Sequence, residues 1–175
     1  MITIVSSTNR NDALSYQISL LYQQVLADLC AESEILNLND LPADFAFSAL
    51  YENSGKNEQF NTFRTHMSQA QKYVFIVPEY NGSFPGVLKT FIDGLEYPNT
   101  FKNKKCALVG LSSGVQGGGL ALSHLTDIFN YCGMNVLALK PKLARIEAHI
   151  DGDFQITNNL YMQLLKEQAE KFIEF

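Results

Sequence analysis

The sequence predicts an α/β fold in which helices cover both faces of a parallel sheet. Short apolar runs of strand length alternate five times with longer segments in which apolar residues recur at helical spacing. The short runs are continuously apolar and not striped with period two, which is typical of parallel strands buried on both faces. The length of 175 residues suits one domain, so we expect residues 1–175 to form a single ligand-binding domain.

Each predicted element follows from its own run. The strands are predicted at Ile2 to Val5, Glu34 to Leu38, Tyr73 to Val77, Cys106 to Gly110 and Asn135 to Leu139. The helices are predicted at Leu14 to Leu29, Glu58 to Gln71, Pro85 to Leu95, Leu120 to Tyr131 and Asn159 to Phe175. Right-handed crossovers then give the strand order 2-1-3-4-5, with a ligand-binding crevice at the carboxyl edge of the sheet.

The connection after the second strand is longer than a βα loop requires. It runs from Leu41 to Asn57 and carries three aromatic residues that we expect to be exposed, Phe45, Phe47 and Tyr51. Loops of this length are often functional. A simple packing role for the aromatic residues is an equally open alternative.

Charge and composition favour small-molecule partners. A net charge of −5 argues against binding to nucleic acid or to an anionic membrane surface. The chain shows neither a signal peptide nor an apolar run long enough to span a bilayer, so we expect a cytoplasmic protein. Cys30, Cys106 and Cys132 form no C-x-x-C pair and lack metal-ligand spacing to the histidines, which predicts reduced, mostly buried thiols and no metal site.

A polar loop separates the first strand from the first helix. It reads S-S-T-N-R-N-D-A-L-S over residues 6–15 and is rich in hydroxyl, amide and guanidinium donors. Because a helix N-terminus attracts anions and Arg10 adds a charged partner, the loop is a candidate phosphate cradle. It is neither a P-loop nor a dinucleotide fingerprint, since it contains no glycine. The alternative is a capping cluster in which Asn11 or Asp12 simply caps the helix.

Two further unusual loops follow the third and fourth strands. The first contains Asn81-Gly82, a tight turn whose backbone N–H groups can face a flat ring such as an isoalloxazine, flanked by Tyr80 or Phe84. The second, residues 110–119, holds five glycines, which suggests close approach of the backbone to a ligand or, alternatively, a mobile linker. All three loops fall at the same edge of the predicted sheet, and this coincidence predicts a binding site there.

The loop sequences resemble those of the NADPH-dependent FMN reductase family, which includes quinone, azo-dye and chromate reductases. The segment P-E-Y-N-G-S-F-P-G-V-L-K at residues 78–89 is similar to the family signature almost letter for letter. S-S-T-N-R-N-D-A-L-S lies where the family has its phosphate loop, and S-S-G-V-Q-G-G where it has a third, glycine-containing loop. The resemblance implies a flavodoxin-like three-layer α/β/α sandwich with a five-stranded parallel sheet, FMN as cofactor and NADPH or NADH as co-substrate.

The resemblance also implies a set of cofactor-binding residues by position. The FMN phosphate would be surrounded by Ser7, Asn9, Arg10, Ala13, Leu14 and Ser15. The isoalloxazine and ribityl chain would contact Pro78, Glu79, Tyr80, Asn81 and Gly82, and Ser112, Ser113 and Gly114 would close the other side. Two positions depart from the family pattern: Ser7 replaces a glycine, and Leu120 replaces an arginine that can contact a phosphate.

The implied activity is hydride transfer from a nicotinamide to flavin N5 and on to a small oxidised acceptor, which is a quinone, free flavin, azo compound or metal oxyanion. No side chain is predicted to act as acid or base, so His66, His124 and His149 are not catalytic candidates. Tyr80 is the best candidate for contact with both flavin and substrate.

The resemblance further implies a homodimer or homotetramer, formed through the apolar faces of Val87 to Leu95 and Leu120 to Tyr131. Two other functions stay open, a flavodoxin-type electron carrier and a cofactor-free interaction module. Arg10, the absence of tryptophan and the moderate charge disfavour the carrier, while Ser7 and Leu120 favour the module.

Overall fold

The computed structural model describes all residues from 1 to 175 and contains six strands and six α-helices. The strands are β1 (Ile2–Ser6), β2 (Ser33–Asn37), β3 (Lys72–Pro78), β4 (Lys105–Leu111), β5 (Asn135–Val136) and β6 (Lys142–Leu143). The helices are α1 (Leu14–Asp28), α2 (Phe45–Ser48), α3 (Glu58–Gln69), α4 (Gly86–Asp93), α5 (Gly119–Tyr131) and α6 (Asn159–Glu174). The five predicted helices are confirmed, with ends that shift by no more than two residues.

All strand pairs of the sheet are parallel, and the order is β2-β1-β3-β4-β5, with β6 also paired to β4. The predicted order is therefore confirmed. Because every strand points the same way, the loops that follow β1, β3 and β4 emerge together at the carboxyl edge.

Two separate apolar clusters cover the two faces of the sheet. Along β3, Phe75 belongs to the cluster that α3, α4 and α5 complete, whereas Val74 and Ile76 belong to the cluster that α1 and α6 complete. Successive strand side chains point to opposite faces, and both faces are buried, so the run has to be apolar throughout. The predicted three-layer α/β/α sandwich is confirmed.

The fifth predicted strand, Asn135 to Leu139, is wrong in its length. Regular pairing ends at Val136 and resumes at β6. Gln168 of α6 occupies the gap and donates from Nε2 to the carbonyls of Leu108 (2.9 Å) and Leu139 (2.8 Å). A side chain therefore replaces the backbone donor that a continuous strand would have supplied.

Two predictions about exposure need correction. Phe45 is buried, because its ring stacks on Phe60 with centroids 5.4 Å apart, whereas Phe47 (84%) and Tyr51 (80%) are exposed as expected. All three cysteines are free, but Cys30 is exposed because it lies in the turn that ends α1, where its φ is +58°. No helix has the length and apolar character needed to cross a bilayer.

Candidate functional site

A cavity of about 300 Å³ opens at the carboxyl edge of the sheet, between the loops that follow β1, β3 and β4. Its lining comprises Thr8, Arg10, Asp12, Ala13, Leu14, Ser15, Pro78, Glu79, Tyr80, Leu111, Ser112, Ser113, Ile146 and Glu147. Three larger hollows, of about 570, 580 and 620 Å³, lie away from these loops. The loops that the sequence singled out therefore share one cavity.

The N-terminus of α1 faces this cavity without a side-chain cap. Ala13 occupies the N-cap position and no side chain accepts a hydrogen bond from the first turn, so the alternative in which Asn11 or Asp12 caps the helix is wrong. By contrast, Asn57 caps α3 and Asn158 caps α6. The uncapped N–H groups and the helix dipole leave α1 suited to an anion.

In the first loop, Ser7 is still bonded to the sheet, although β1 ends at Ser6. The Ser7 N–H still donates to the Ile76 carbonyl (3.2 Å), and Ser7 Oγ turns back to donate to the Val5 carbonyl (3.1 Å). Thr8 is instead the first side chain to reach the cavity. Its Oγ1 lies 2.8 Å from Tyr80 Oη and accepts a hydrogen bond from the Arg10 N–H at 3.3 Å.

The second loop is a closed turn. The Tyr80 N–H donates to the Ser83 carbonyl (2.8 Å) and the Ser83 N–H donates to the Tyr80 carbonyl (3.0 Å). Asn81 and Gly82 form the tip, with φ values of +51° and +76°, as the predicted turn requires. No hydrogen bond uses the N–H groups of Asn81 and Gly82, so both are available to a ligand.

The third loop is fastened to the segment that follows β6. The Arg145 N–H donates to the Gly114 carbonyl (2.9 Å) and the Ile146 N–H donates to the Ser112 carbonyl (3.1 Å). This pairing brings Ile146 and Glu147 into the cavity lining. The N–H groups of Ser113 and Gly114 make no hydrogen bond within the protein and are further free donors.

Backbone packing requires glycine at two positions in or next to this loop, Gly110 and Gly117. A Cβ on Gly110 would lie 2.4 Å from the Gly117 carbonyl oxygen, and a Cβ on Gly117 would lie 2.7 Å from the backbone of Lys142. The close approach that these glycines permit is therefore between backbone segments of the protein itself. A Cβ on Gly114, in contrast, would make only an ordinary contact, 3.9 Å from Ser112 Oγ.

The predicted site residues divide into two groups. Those that line the cavity are Arg10, Ala13, Leu14, Ser15, Pro78, Glu79, Tyr80, Ser112 and Ser113. Ser7, Asn9, Asn81, Gly82 and Gly114 lie outside the lining.

The cavity is also lined by five residues that were not among the predicted site residues: Thr8, Asp12, Leu111, Ile146 and Glu147. Thr8 is polar, as its neighbours in the loop are. Its position two residues after the end of β1 distinguishes it from them. Ile146 and Glu147 carry no local signal, because the break between β5 and β6 decides where they lie.

None of the three histidines reaches the cavity. His66 is on α3, and its Nε2 is 2.8 Å from Oε1 of Glu34 on β2. His124 Nδ1 is 2.9 Å from Ser83 Oγ on the outer side of the turn, and His149 packs edge-on against Tyr161. The groups available for recognition are therefore hydroxyls, one guanidinium and free backbone N–H groups as donors, beside the carboxylates of Asp12, Glu79 and Glu147. This donor set fits a phosphate at α1 and the edge of a flat ring beside the second and third loops.

The fold and the cavity define a class of protein, the flavodoxin-like α/β proteins that bind a ligand at the carboxyl ends of parallel strands. Within that class, the chain belongs to the NADPH-dependent FMN reductase family, whose sequence model matches residues 1–141. The resemblance of the loop sequences is thereby confirmed. The chain is an NAD(P)H-dependent oxidoreductase with FMN as its cofactor, and the carrier and the cofactor-free module are disfavoured.

Individual relatives agree with this assignment. The chain is 27% identical over 176 residues to a 2-hydroxy-1,4-benzoquinone reductase from a Burkholderia species, an alignment that covers 98% of this chain and 93% of the relative. It is similar to the structure of FerB, a flavoenzyme NAD(P)H:(acceptor) oxidoreductase from Paracoccus denitrificans, with a TM-score of 0.75, 25% identity and coverage of 99% and 94%. An FMN-dependent NADH-azoreductase from Bacillus anthracis, solved in complex with FMN, shares the fold at a TM-score of 0.65 and 15% identity, with coverage of 98% and 99%.

Proposed function

We propose that residues 1–175 form one FMN-binding domain that reduces quinones with NADH or NADPH. The observation that carries the proposal is the cavity in which the uncapped N-terminus of α1 and Arg10 lie beside the turn that holds Tyr80. A quinone is the acceptor class we favour because the relative aligned over nearly the whole chain is a benzoquinone reductase. Free flavin, azo compounds and metal oxyanions are the other acceptors to compare.

In this proposal the first loop holds the phosphate. The N–H groups of the first turn of α1 donate to it, Thr8 and Ser15 supply hydroxyls, and Arg10 supplies the positive charge. Ser7 has a structural role at the end of β1, because its Oγ is already used by the Val5 carbonyl. Asn9 is exposed, and in this proposal it contributes to the phosphate site through its backbone.

The second and third loops hold the ring. The free N–H groups of Asn81 and Gly82, and those of Ser113 and Gly114, would hold the ring by donating to its polar edge atoms. Tyr80 and Pro78 supply apolar surface beside it. FMN, when bound, supplies the redox chemistry by accepting hydride from the nicotinamide and passing the electrons to the acceptor. The protein binds and orients the partners, and no side chain has to move a proton.

The same proposal includes a homodimer, or a dimer of such dimers. A hollow of about 580 Å³ between α4 and α5 is lined by Ile92, Leu95, Phe101 and Ile128 among others. Tyr97 (66% exposed) and Tyr131 (80% exposed) stack on each other at its rim. An apolar groove of this kind is suited to a two-fold contact between copies.

We place the protein in the cytoplasm for two reasons. Its three cysteines are all free, which is usual in a reducing compartment. Its net charge of −5 gives no general attraction to an anionic membrane surface.

The direct test is to mix the purified protein with FMN and to follow the visible flavin absorption after addition of NADH or NADPH, with and without a benzoquinone. We expect anaerobic bleaching by the nicotinamide and recovery of the band on addition of the quinone.

Arg10→Ala should weaken FMN binding by at least about tenfold, because a charge-assisted pair with the phosphate is lost. Arg64→Ala, on α3 and outside the cavity, is the matched control. Binding without bleaching would favour the carrier, and no binding would favour the cofactor-free module.

A further inference from the structure

Thr8 connects the two halves of the cavity. Its side chain is almost fully buried, yet it lines the cavity at the end of β1. Oγ1 accepts a hydrogen bond from the Arg10 N–H (3.3 Å) on the phosphate side and lies 2.8 Å from Tyr80 Oη on the ring side. A single hydroxyl therefore belongs to the phosphate loop and to the ring loop at once.

Tyr80 is held at both ends. Its backbone is fixed by the two hydrogen bonds that close the turn with Ser83, and its phenol oxygen is fixed by Thr8. The only side-chain partner of the phenol is Thr8, so the orientation of the ring depends on a residue of the other loop.

The valence of the threonine hydroxyl limits its hydrogen bonds. A hydroxyl carries one proton and two acceptor lone pairs, and the Arg10 N–H uses one of those lone pairs. Without a ligand, Thr8 and Tyr80 can each donate to the other. A phosphate at the loop is a pure acceptor, so the Thr8 hydroxyl donates its hydrogen bond to the phosphate. The second lone pair of Thr8 is then left for Tyr80, which has to be the donor.

We propose, on the basis of the function proposed above, that Thr8 couples recognition of the phosphate to the hydrogen bond that orients Tyr80. The phosphate selects one of the two directions of the Thr8–Tyr80 hydrogen bond and stabilises it. The site then distinguishes FMN from riboflavin partly through Tyr80, although Tyr80 belongs to the ring loop.

The test compares dissociation constants for FMN and riboflavin, measured by quenching of flavin fluorescence in wild type, Thr8→Val, Thr8→Ser and Tyr80→Phe. The readout is the ratio of the riboflavin constant to the FMN constant. We expect that ratio to fall in Thr8→Val and also by about fivefold in Tyr80→Phe, the contribution of one ordinary hydrogen bond. Thr8→Ser keeps the hydroxyl and should keep the ratio. The double variant Thr8→Val/Tyr80→Phe should lose no more than Thr8→Val alone.

A merely structural tyrosine gives a different result. In that case Tyr80→Phe weakens both flavins by the same factor, the ratio stays at the wild-type value, and the coupling is disproved even though FMN binds. If Thr8→Val does not fold, Tyr80→Phe and Thr8→Ser still decide, because neither alters the buried end of β1 by more than one methyl group. If wild type binds neither flavin, the proposed function and the coupling both fail.

Discussion

Three carboxylates line the cavity together with its one guanidinium. Asp12, Glu79 and Glu147 line it together with Arg10, so the local charge opposes a phosphate even though the loop geometry favours it. Neutral donors, namely hydroxyls and free N–H groups, therefore have to supply much of the affinity. We therefore expect the charge of each carboxylate to affect the affinity for FMN.

Replacing Glu147 by Gln is expected to tighten FMN binding by about threefold, because it removes one exposed negative charge from the cavity. Riboflavin, which lacks the phosphate, should bind as before, and added salt should reduce the difference. Fluorescence titration of both flavins measures the effect. Glu170→Gln on α6 makes the same charge change outside the cavity and should alter neither constant. Equal tightening of both flavins by Glu147→Gln would contradict a phosphate at this end.

At the level of single residues, the polar composition of the first loop was enough to predict a phosphate site there, but not to predict which of its side chains reach the cavity. Ser7 and Thr8 are adjacent hydroxyls, and which of them faces the cavity depends on where β1 stops pairing with β3. Glu147 gave no signal, since its position depends on the pairing of Arg145 and Ile146 with the third loop.

At the level of elements, the three helices that begin at the cavity edge differ from the other two long helices. α1, α4 and α5 have no side-chain cap, whereas α3 and α6 are capped by asparagine. An uncapped N-terminus costs helix stability, so the anion site proposed at α1 would come at the expense of the stability of that helix.

Ala13→Asp tests whether a side-chain cap on α1 raises stability and weakens FMN binding. An aspartate at the N-cap accepts hydrogen bonds from the first turn, so the variant should be more stable by about 1 kcal/mol in denaturant unfolding without ligand. The same carboxylate should weaken FMN binding by about tenfold or more, since it occupies the donors and repels the phosphate. Ala13→Gly, which supplies no side-chain acceptor, is the control. A variant that gains stability and keeps its FMN affinity would exclude the α1 N-terminus from the site.

The broken fifth strand is the element that sequence patterns did not resolve. The run Asn135 to Leu139 reads as one strand, and the residue that replaces its missing backbone donor, Gln168, lies on a distant helix. The other strands were predictable because each is a continuous run with both neighbours in the sheet or with a helix on each face.

Gln168→Leu is expected to lower the free energy of unfolding by about 2–4 kcal/mol, because the buried carbonyl of Leu108, the partly buried carbonyl of Leu139 and the hydroxyl of Tyr22 lose their partner. Urea denaturation followed by circular dichroism measures this change. Gln163→Leu, on the exposed side of α6, should change stability by less than about 0.5 kcal/mol. A small effect at Gln168 would show that the gap between β5 and β6 relaxes without it.

At the level of the whole molecule, the two faces of the sheet have different surroundings. One is covered by α1 and α6, and the other by α3, α4 and α5, whose outer side carries the apolar groove with Tyr97 and Tyr131. The layer architecture was predictable from apolar runs alone, because it follows from burial of every strand on both faces. The groove was predictable only as apolar helix faces, since Tyr97 lies outside any predicted element.

Tyr131→Glu is expected to convert the proposed dimer to a monomer in light scattering coupled to gel filtration, since a charge at the rim of the groove has to be desolvated in the contact. Leu160→Glu, on α6 and therefore on the opposite face, should keep the wild-type mass. A wild-type protein that is monomeric at all concentrations tested would disprove the dimer.

The most direct measurement is a crystal structure of the protein with FMN. We expect the phosphate within hydrogen-bond distance of the first-turn N–H groups of α1 and of Thr8 and Arg10. We expect the ring beside Tyr80, near the turn at Asn81-Gly82 and the third loop. FMN bound elsewhere, such as in the groove between α4 and α5, or a cavity closed by its own side chains in the presence of excess FMN, would contradict both expectations.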